Sequence, residues 1–110
     1  TESRKRSGTQ KRQPQDAIGY SADRRFLYLI CADGEQMNYS YGINGPDLRD
    51  LMDALKIEEL LTLAGTGVAT LAISDGAGGV EVLNRPTHAD IPGLERPFVM
   101  SVGIHADPLP

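Results

Sequence analysis

A chain of 110 residues with a net charge of −4 holds one domain at most and a modest core. Its 40% hydrophobic and 24% charged residues are ordinary for a globular protein, and no apolar run approaches the ~20 residues that cross a bilayer. Aromatic residues are scarce at 5%, so the core must rely on Leu, Ile, Val and Ala.

The charge is unevenly placed. Residues 1–12 carry Arg4, Lys5, Arg6, Lys11 and Arg12 against Glu2, a net of +4, and residues 13–110 carry −8. A polar, basic stretch cannot bury enough apolar surface to fold alone, so residues 1–14 read as a flexible arm or linker. The plain role is a solvated connector; nucleic acid or anionic lipid is the alternative partner for the arm. The acidic body is no nucleic-acid surface. No signal-peptide pattern opens the chain, which begins at Thr1 rather than Met. On this reading it is a processed product or a segment. An N-terminal nucleophile at Thr1 fits poorly on such an arm.

In chain order, Gln15–Tyr20 is short and mixed, and Ser21-Ala22-Asp23-Arg24 makes a hairpin turn. Arg25–Ala32 is the strongest strand, a near-continuous apolar run that suits burial on both faces. Within it, Cys31 reads as a small buried hydrophobe, with a reactive thiol as the alternative. It has no companion for a disulfide or a metal site. Asp33-Gly34 closes the strand, and Glu35–Gly45 is a polar, Tyr-rich loop.

A helix follows. Pro46 suits its first position, Asp47 and Asp50 favour its N-terminal turn, and Leu48, Leu51, Met52 and Leu55 form one apolar stripe. It should end near Lys56 or Ile57. Leu60–Leu63 is a short strand, Ala64-Gly65-Thr66-Gly67 a small-residue loop, and Val68–Ser74 a strand. Asp75–Gly79 is a hairpin turn leading to Val80–Leu83. It lacks the acids of a calcium loop and the Lys of a phosphate loop. Asn84–Pro97 is a loop with Pro86, Pro92 and Pro97. Phe98–Ile104 alternates as a final strand, and the chain then frays. One helix among several strands predicts an α+β fold with a mainly antiparallel sheet. Such a sheet needs a larger chain or a partner to close its edges.

The order of several short signatures carries a family resemblance. They are Ala17-Ile18-Gly19, Ala32-Asp33-Gly34, Gly42 with Pro46-Asp47-Leu48, Leu63 with Gly65 and Gly67, Asn84-Arg85-Pro86 and Glu95-Arg96-Pro97. The chain resembles the C-terminal portion of the phosphodiester glycosidase family over roughly residues 13–104. That divides it into an arm at 1–14, a domain at 15–105 and a tail at 106–110. The resemblance implies a sugar-phosphate or glycan ligand. It also implies an extracytoplasmic setting, and a protein partner or N-terminal half that completes the sheet.

The departures are informative. The family's glycine loop reads Asn-Leu-Asp-Gly-Gly-Gly-Ser-Ser-Thr, where this chain has Thr62-Leu63-Ala64-Gly65-Thr66-Gly67-Val68-Ala69-Thr70. The acid is Ala64, the serines are Val68 and Ala69, and only Thr70 keeps a hydroxyl. Gln15 and Asp16 stand where the family carries Arg, and Met100 where it tends to carry Asn. Glycosyl transfer needs a carboxyl group, and a phosphodiester needs positive charge or oriented N–H donors. The expectation is a catalytically degraded binding or assembly module. A divergent hydrolase on a sugar 1-phosphodiester is the alternative, with Asp33 and Glu95 as weak catalytic candidates.

Arg85 and Arg96, each before a proline, could clamp a phosphate together with Gly65, Gly67 and Thr70. The plainer reading pairs the arginines with Glu95, Asp90 or another acid of the body, which would fix the loop. Asp33 has a plainer reading too, as a turn residue bonding its own backbone. His88 and His105 lack ligand-spaced companions. No metal, no cofactor and no Ser-His-Asp arrangement is expected.

Overall fold

The computed structural model describes residues 11–63, 69–88, 91–95 and 101–108. Strand β1 (Gln15–Ser21) and strand β2 (Leu27–Ala32) form an antiparallel hairpin, helix α1 spans Gly45–Leu55, and β3 (Ile57–Thr62) pairs antiparallel with β1. The sheet order is therefore β2-β1-β3. A small hairpin of β4 (Ala72–Ser74) and β5 (Val80–Val82) follows, then a short ladder of β6 (Thr87–His88) and β7 (Ile91–Pro92). The fold is α+β with antiparallel pairing throughout the described residues.

The β1–β2 turn is fixed by its side chains. Ser21 Oγ donates to Asp23 Oδ1 at 2.7 Å and accepts from Phe26 N at 3.1 Å, while Arg25 N donates to Asp23 Oδ1 at 3.0 Å. These donors, the Ser21 hydroxyl foremost, hold the Asp23 carboxyl below its ordinary range.

Helix α1 starts at a full capping box. Asn44 Oδ1 accepts from Asp47 N at 3.0 Å, and Asp47 Oδ2 accepts from Asn44 N at 3.4 Å. The sequence reading found Pro46 and Asp47 but not Asn44. Lys56 ends the helix in the left-handed region at φ 56°. That single residue turns the chain straight into β3, so the strand begins at Ile57 rather than Leu60.

Alternation along β1 sorts the sheet faces. Ala17, Gly19 and Ser21 are buried, and Ile57 opposite Ser21 is buried with them. Tyr28, opposite Gly19, sends its hydroxyl to Leu55 O at 3.4 Å, which ties the end of α1 to this face. The other face carries Leu27 and Leu29 of β2, Ile18 of β1 and Leu61 of β3, with Ile18 opposite both Leu29 and Leu61. Leu27, Leu29 and Leu61 are exposed. Burial of β2 on both faces is thus corrected: a continuous apolar run met only one covering helix among the described residues.

Three other expectations change. Extended pairing covers only Ala72–Ser74 of the Val68–Ser74 stretch, with Val68 outside the described residues. Leu71 instead pairs through its carbonyl with Leu83 N at 2.8 Å, and its N–H goes to a side chain. The Asn84–Pro97 loop contains the β6–β7 ladder. Residues 101–104 of the expected last strand join no ladder among the described residues, and Phe98–Met100 lie outside them.

Residues 12–14 are held against the domain. Gln13 exchanges backbone bonds with Ile43 at 2.9 and 3.2 Å, Pro14 is buried, and Arg12 forms an ion pair with Asp47. Gly42 and Gly34 make room for them. A Cβ on Gly42, whose φ is +107°, would lie 2.2 Å from the Gln13 carbonyl, and one on Gly34 would lie 2.5 Å from Pro14 N.

Replacing Asn44 by Ala should cost about 1 kcal/mol of unfolding free energy through the lost cap. Gly42→Ala should cost several-fold more, because it adds backbone strain to a backbone clash. Urea unfolding of the two variants checks both values; equal costs would contradict the threaded arrangement of residues 13 and 14.

Candidate functional site

The site grows from the end of β2. Asp33 follows the strand, and its carboxylate accepts three hydrogen bonds. Oδ1 takes Asn84 Nδ2 at 3.0 Å and Arg85 N at 2.8 Å, and Oδ2 takes the Tyr39 hydroxyl at 2.8 Å. Its carbonyl accepts from Ser40 Oγ at 2.7 Å. Asp33 is therefore more than a turn residue satisfying its own backbone. It joins the strand end to loop 35–43 and to Asn84-Arg85.

Tyr39 completes a ring of contacts. The Arg85 guanidinium sits over its aromatic ring, 4.5 Å from the centroid. The Tyr39 phenol is pushed above its ordinary value, first by donating to Asp33 and then by burial and the Asp33 charge; Arg85 opposes this. Arg85 is exposed, and no carboxylate among the described residues lies within 4 Å of its guanidinium. The expected pairing of Arg85 with Glu95 is absent, and Asp90 lies outside the described residues. Glu95 itself is exposed after β7, with no hydrogen bond or ion pair to a described residue, and the structure does not bring it to Asp33.

Buried groups brace this ring. Gln36, 5% exposed, donates from Nε2 to Arg85 O at 2.8 Å and to Gly34 O at 3.3 Å. Its Oε1 is buried without a partner. Pro14, Gly34, Ala69, Pro86 and Thr87 close so tightly behind Asp33 that no space for a water remains. On the outer side an open groove of about 540 Å³ runs from Asp33 and Tyr39 past Ser40 and Ile43 to Arg12 and Asp47.

Asn84 and Asp16 escaped the sequence reading as site residues. Asn84 was noted only as part of Asn-Arg-Pro. Its Nδ2 also donates to Ala69 O at 2.8 Å, and its Oδ1 accepts from Leu71 N at 2.8 Å. Asp16 lies opposite Cys31 across the β1–β2 ladder, and its Oδ2 accepts Thr70 N at 3.1 Å. Thr70 enters the site through its N–H. The Asp16 Oδ1 is buried without a regular hydrogen bond. The Cys31 thiol interacts with this carboxylate, but a thiol is a weak donor. Burial raises the Asp16 carboxyl above its ordinary value, and the thiol and the Thr70 N–H only partly offset it. Cys31 is half-buried, and desolvation together with Asp16 pushes its thiol far up, so it is a poor nucleophile. The only sequence signal for this cluster was an acid and a cysteine at matching depth in a hairpin.

Gly65, Gly67 and Arg96, proposed above as ligand contacts, lie outside the described residues, as does Ala64. Among the described residues no group of three His, Cys, Asp or Glu side chains could hold a metal ion, and no helix is long and apolar enough to cross a membrane.

The strand end, the helix-entry loop and the Asn-Arg-Pro loop of this antiparallel α+β fold converge on one carboxylate and one stacked guanidinium. The phosphodiester glycosidase family model matches residues 1–105, and the chain belongs to that family. No curated protein and no solved structure gives a match to it.

The Asp16 carboxyl has a pH consequence. Its folded value lies above its unfolded one, so between the two the native state binds the extra proton and stability falls as pH rises. Asp16→Asn should therefore raise Tm at pH 7. The gain should shrink as pH falls through the ordinary Asp value of about 3.9 and vanish well below it, where both states of the parent carry the proton. Calorimetry across that range is the check; an equal gain at both ends would show that ionisation is not its cause.

Proposed function

We propose that this chain is a phosphodiester-glycosidase domain that binds a glycosyl phosphodiester or related anionic glycan without turning it over. It serves as a binding or assembly module, in an extracytoplasmic setting that rests on the family alone. The observation that carries the reading is the division of labour at the site. The exposed Arg85 guanidinium is stacked on Tyr39, which lines an open groove, and among the described residues no carboxylate lies within 4 Å of that guanidinium. A planar guanidinium of this kind suits the two free oxygens of a phosphodiester. Both Asp33 oxygens are already engaged by donors of the chain. The family's loop acid is Ala64 here, and two of its hydroxyl positions are Val68 and Ala69. A carboxyl free to act as acid, base or nucleophile is what glycosyl transfer requires.

A divergent hydrolase is the second reading, and Asp16 favours it. A half-buried carboxyl with a raised pKa has the property of a general acid. Against it, the unpartnered Asp16 oxygen is buried rather than open to a ligand.

Phosphorus NMR of an N-acetylglucosamine 1-phosphodiester incubated with the parent chain and with Ala64→Asp tests turnover, and calorimetric titration of the same compound tests binding. The parent should bind without hydrolysis, and Arg85→Ala should weaken binding at least tenfold, about the loss of one charge-assisted contact. Hydrolysis by the parent that Asp16→Asn abolishes would replace the first reading by the second.

A further inference from the structure

Asn84 makes contacts that no turn requires. One nitrogen bridges Asp33 Oδ1 at 3.0 Å and Ala69 O at 2.8 Å, and its oxygen holds Leu71 N at 2.8 Å. The amide thereby ties the strand end at Asp33 to residues 69–71, where the chain leaves the glycine loop. The next residue, Arg85, donates its N–H to the same Asp33 oxygen at 2.8 Å. With Oδ1 occupied from this side, Oδ2 is turned to the Tyr39 hydroxyl at 2.8 Å, and the Tyr39 ring carries the Arg85 guanidinium. The contacts close a circuit: Asn84 orients Asp33, Asp33 orients Tyr39, and Tyr39 supports Arg85.

We propose that Asn84 is a positioning residue, which sets the Arg85 guanidinium in its ligand-binding place by fixing the Asp33 carboxylate between Tyr39 and residues 69–71. The inference rests on the binding reading above for its consequence, and on the ligand-free geometry for its mechanism. No other side-chain type of this size supplies the contacts. Two donors on one nitrogen must meet a carboxylate and a carbonyl, while the paired oxygen meets an N–H. An Asp at position 84 would set two carboxylates face to face, which is tolerated only while they share a proton.

The test compares parent, Asn84→Asp, Asn84→Ala and the turn variant Asp23→Ala at the opposite end of the β1–β2 hairpin, each with its melting temperature recorded. The first readout needs no ligand: titration of the Tyr39 phenol by NMR of labelled tyrosine, assigned with Tyr39→Phe. The parent phenol should titrate above an ordinary tyrosine, Asn84→Ala should bring it back toward the ordinary value, and Asp23→Ala should leave it raised. The second readout is affinity for an N-acetylglucosamine 1-phosphodiester between pH 5 and 8. Asn84→Asp should bind more weakly than the parent, and by a growing margin from pH 5 to pH 8, because two facing carboxylates repel once both are ionised. A Tyr39 titration unmoved by Asn84→Ala, or an Asn84→Asp profile parallel to the parent's, overturns the positioning role. Failure of the parent to bind the probe counts against the proposed function alone, and the Tyr39 titration then decides this inference by itself.

Discussion

The Asp33 carboxylate is the constraint on which the described site depends. It takes donors from residues 6, 51 and 52 positions away and leaves neither oxygen free. Hydrogen bonds to a charged group contribute about 1.5–3 kcal/mol each, against a backbone ordering cost of about 1–2 kcal/mol per residue. Three such bonds offset the ordering of only a few residues, so loop 35–43 and the Asn84–Thr87 turn need further supports. Gln36 supplies one by donating to Arg85 O from a buried position, and Ser40 supplies another through the Asp33 carbonyl. Among the described residues, Arg85 stands on an aromatic ring rather than against an acid, while Arg12 at the far end of the groove pairs with Asp47.

The sheet provides the frame for this arrangement. The order β2-β1-β3 puts β1 in the centre, with Ala17, Gly19 and Ser21 buried on one face, and Asp16 and Asp33 lie toward the same end. The capping box matters beyond the helix, because Asp47 also receives Arg12. Through Arg12, Gln13 and Pro14 the entry to β1 is bound to the loop before α1. The opposite sheet face keeps Leu27, Leu29 and Leu61 exposed, which is more apolar surface than a sheet of this size normally leaves to water.

Two carboxylates near that sheet end show how environment decides role. Asp33 is saturated with N–H and O–H donors and works as a structural node. Asp16 has the Thr70 N–H and a weak thiol contact, with one oxygen buried and unmatched. The difference follows from what faces each of them: Asn84, Arg85 and Tyr39 in one case, and Cys31 with the edge of a small-residue loop in the other. An ionised Asp16 is a cost to the fold that family membership alone does not explain.

The sequence by itself determined the α+β class, the β1–β2 turn, the start of α1 and the family. Each rests on local chemistry: Ser and Asp around a tight turn, Pro and Asp at a helix N-terminus, a run of short signatures in fixed order. It also marked Asp33, Arg85 and the Asn84-Arg85-Pro86 turn, though without joining them. Only the tertiary structure decided that Asp33, Tyr39, Asn84 and Arg85 form one circuit, because their partnership spans about fifty positions and no local periodicity encodes it. The same holds for Gln36, a polar residue in a polar loop that is buried while it donates to Gly34 O close by and to Arg85 O, 49 positions away. Burial of β2 was misjudged for the converse reason. An apolar run states that a strand can be covered on both faces, and the number of elements packed against it is settled only by the assembled chain.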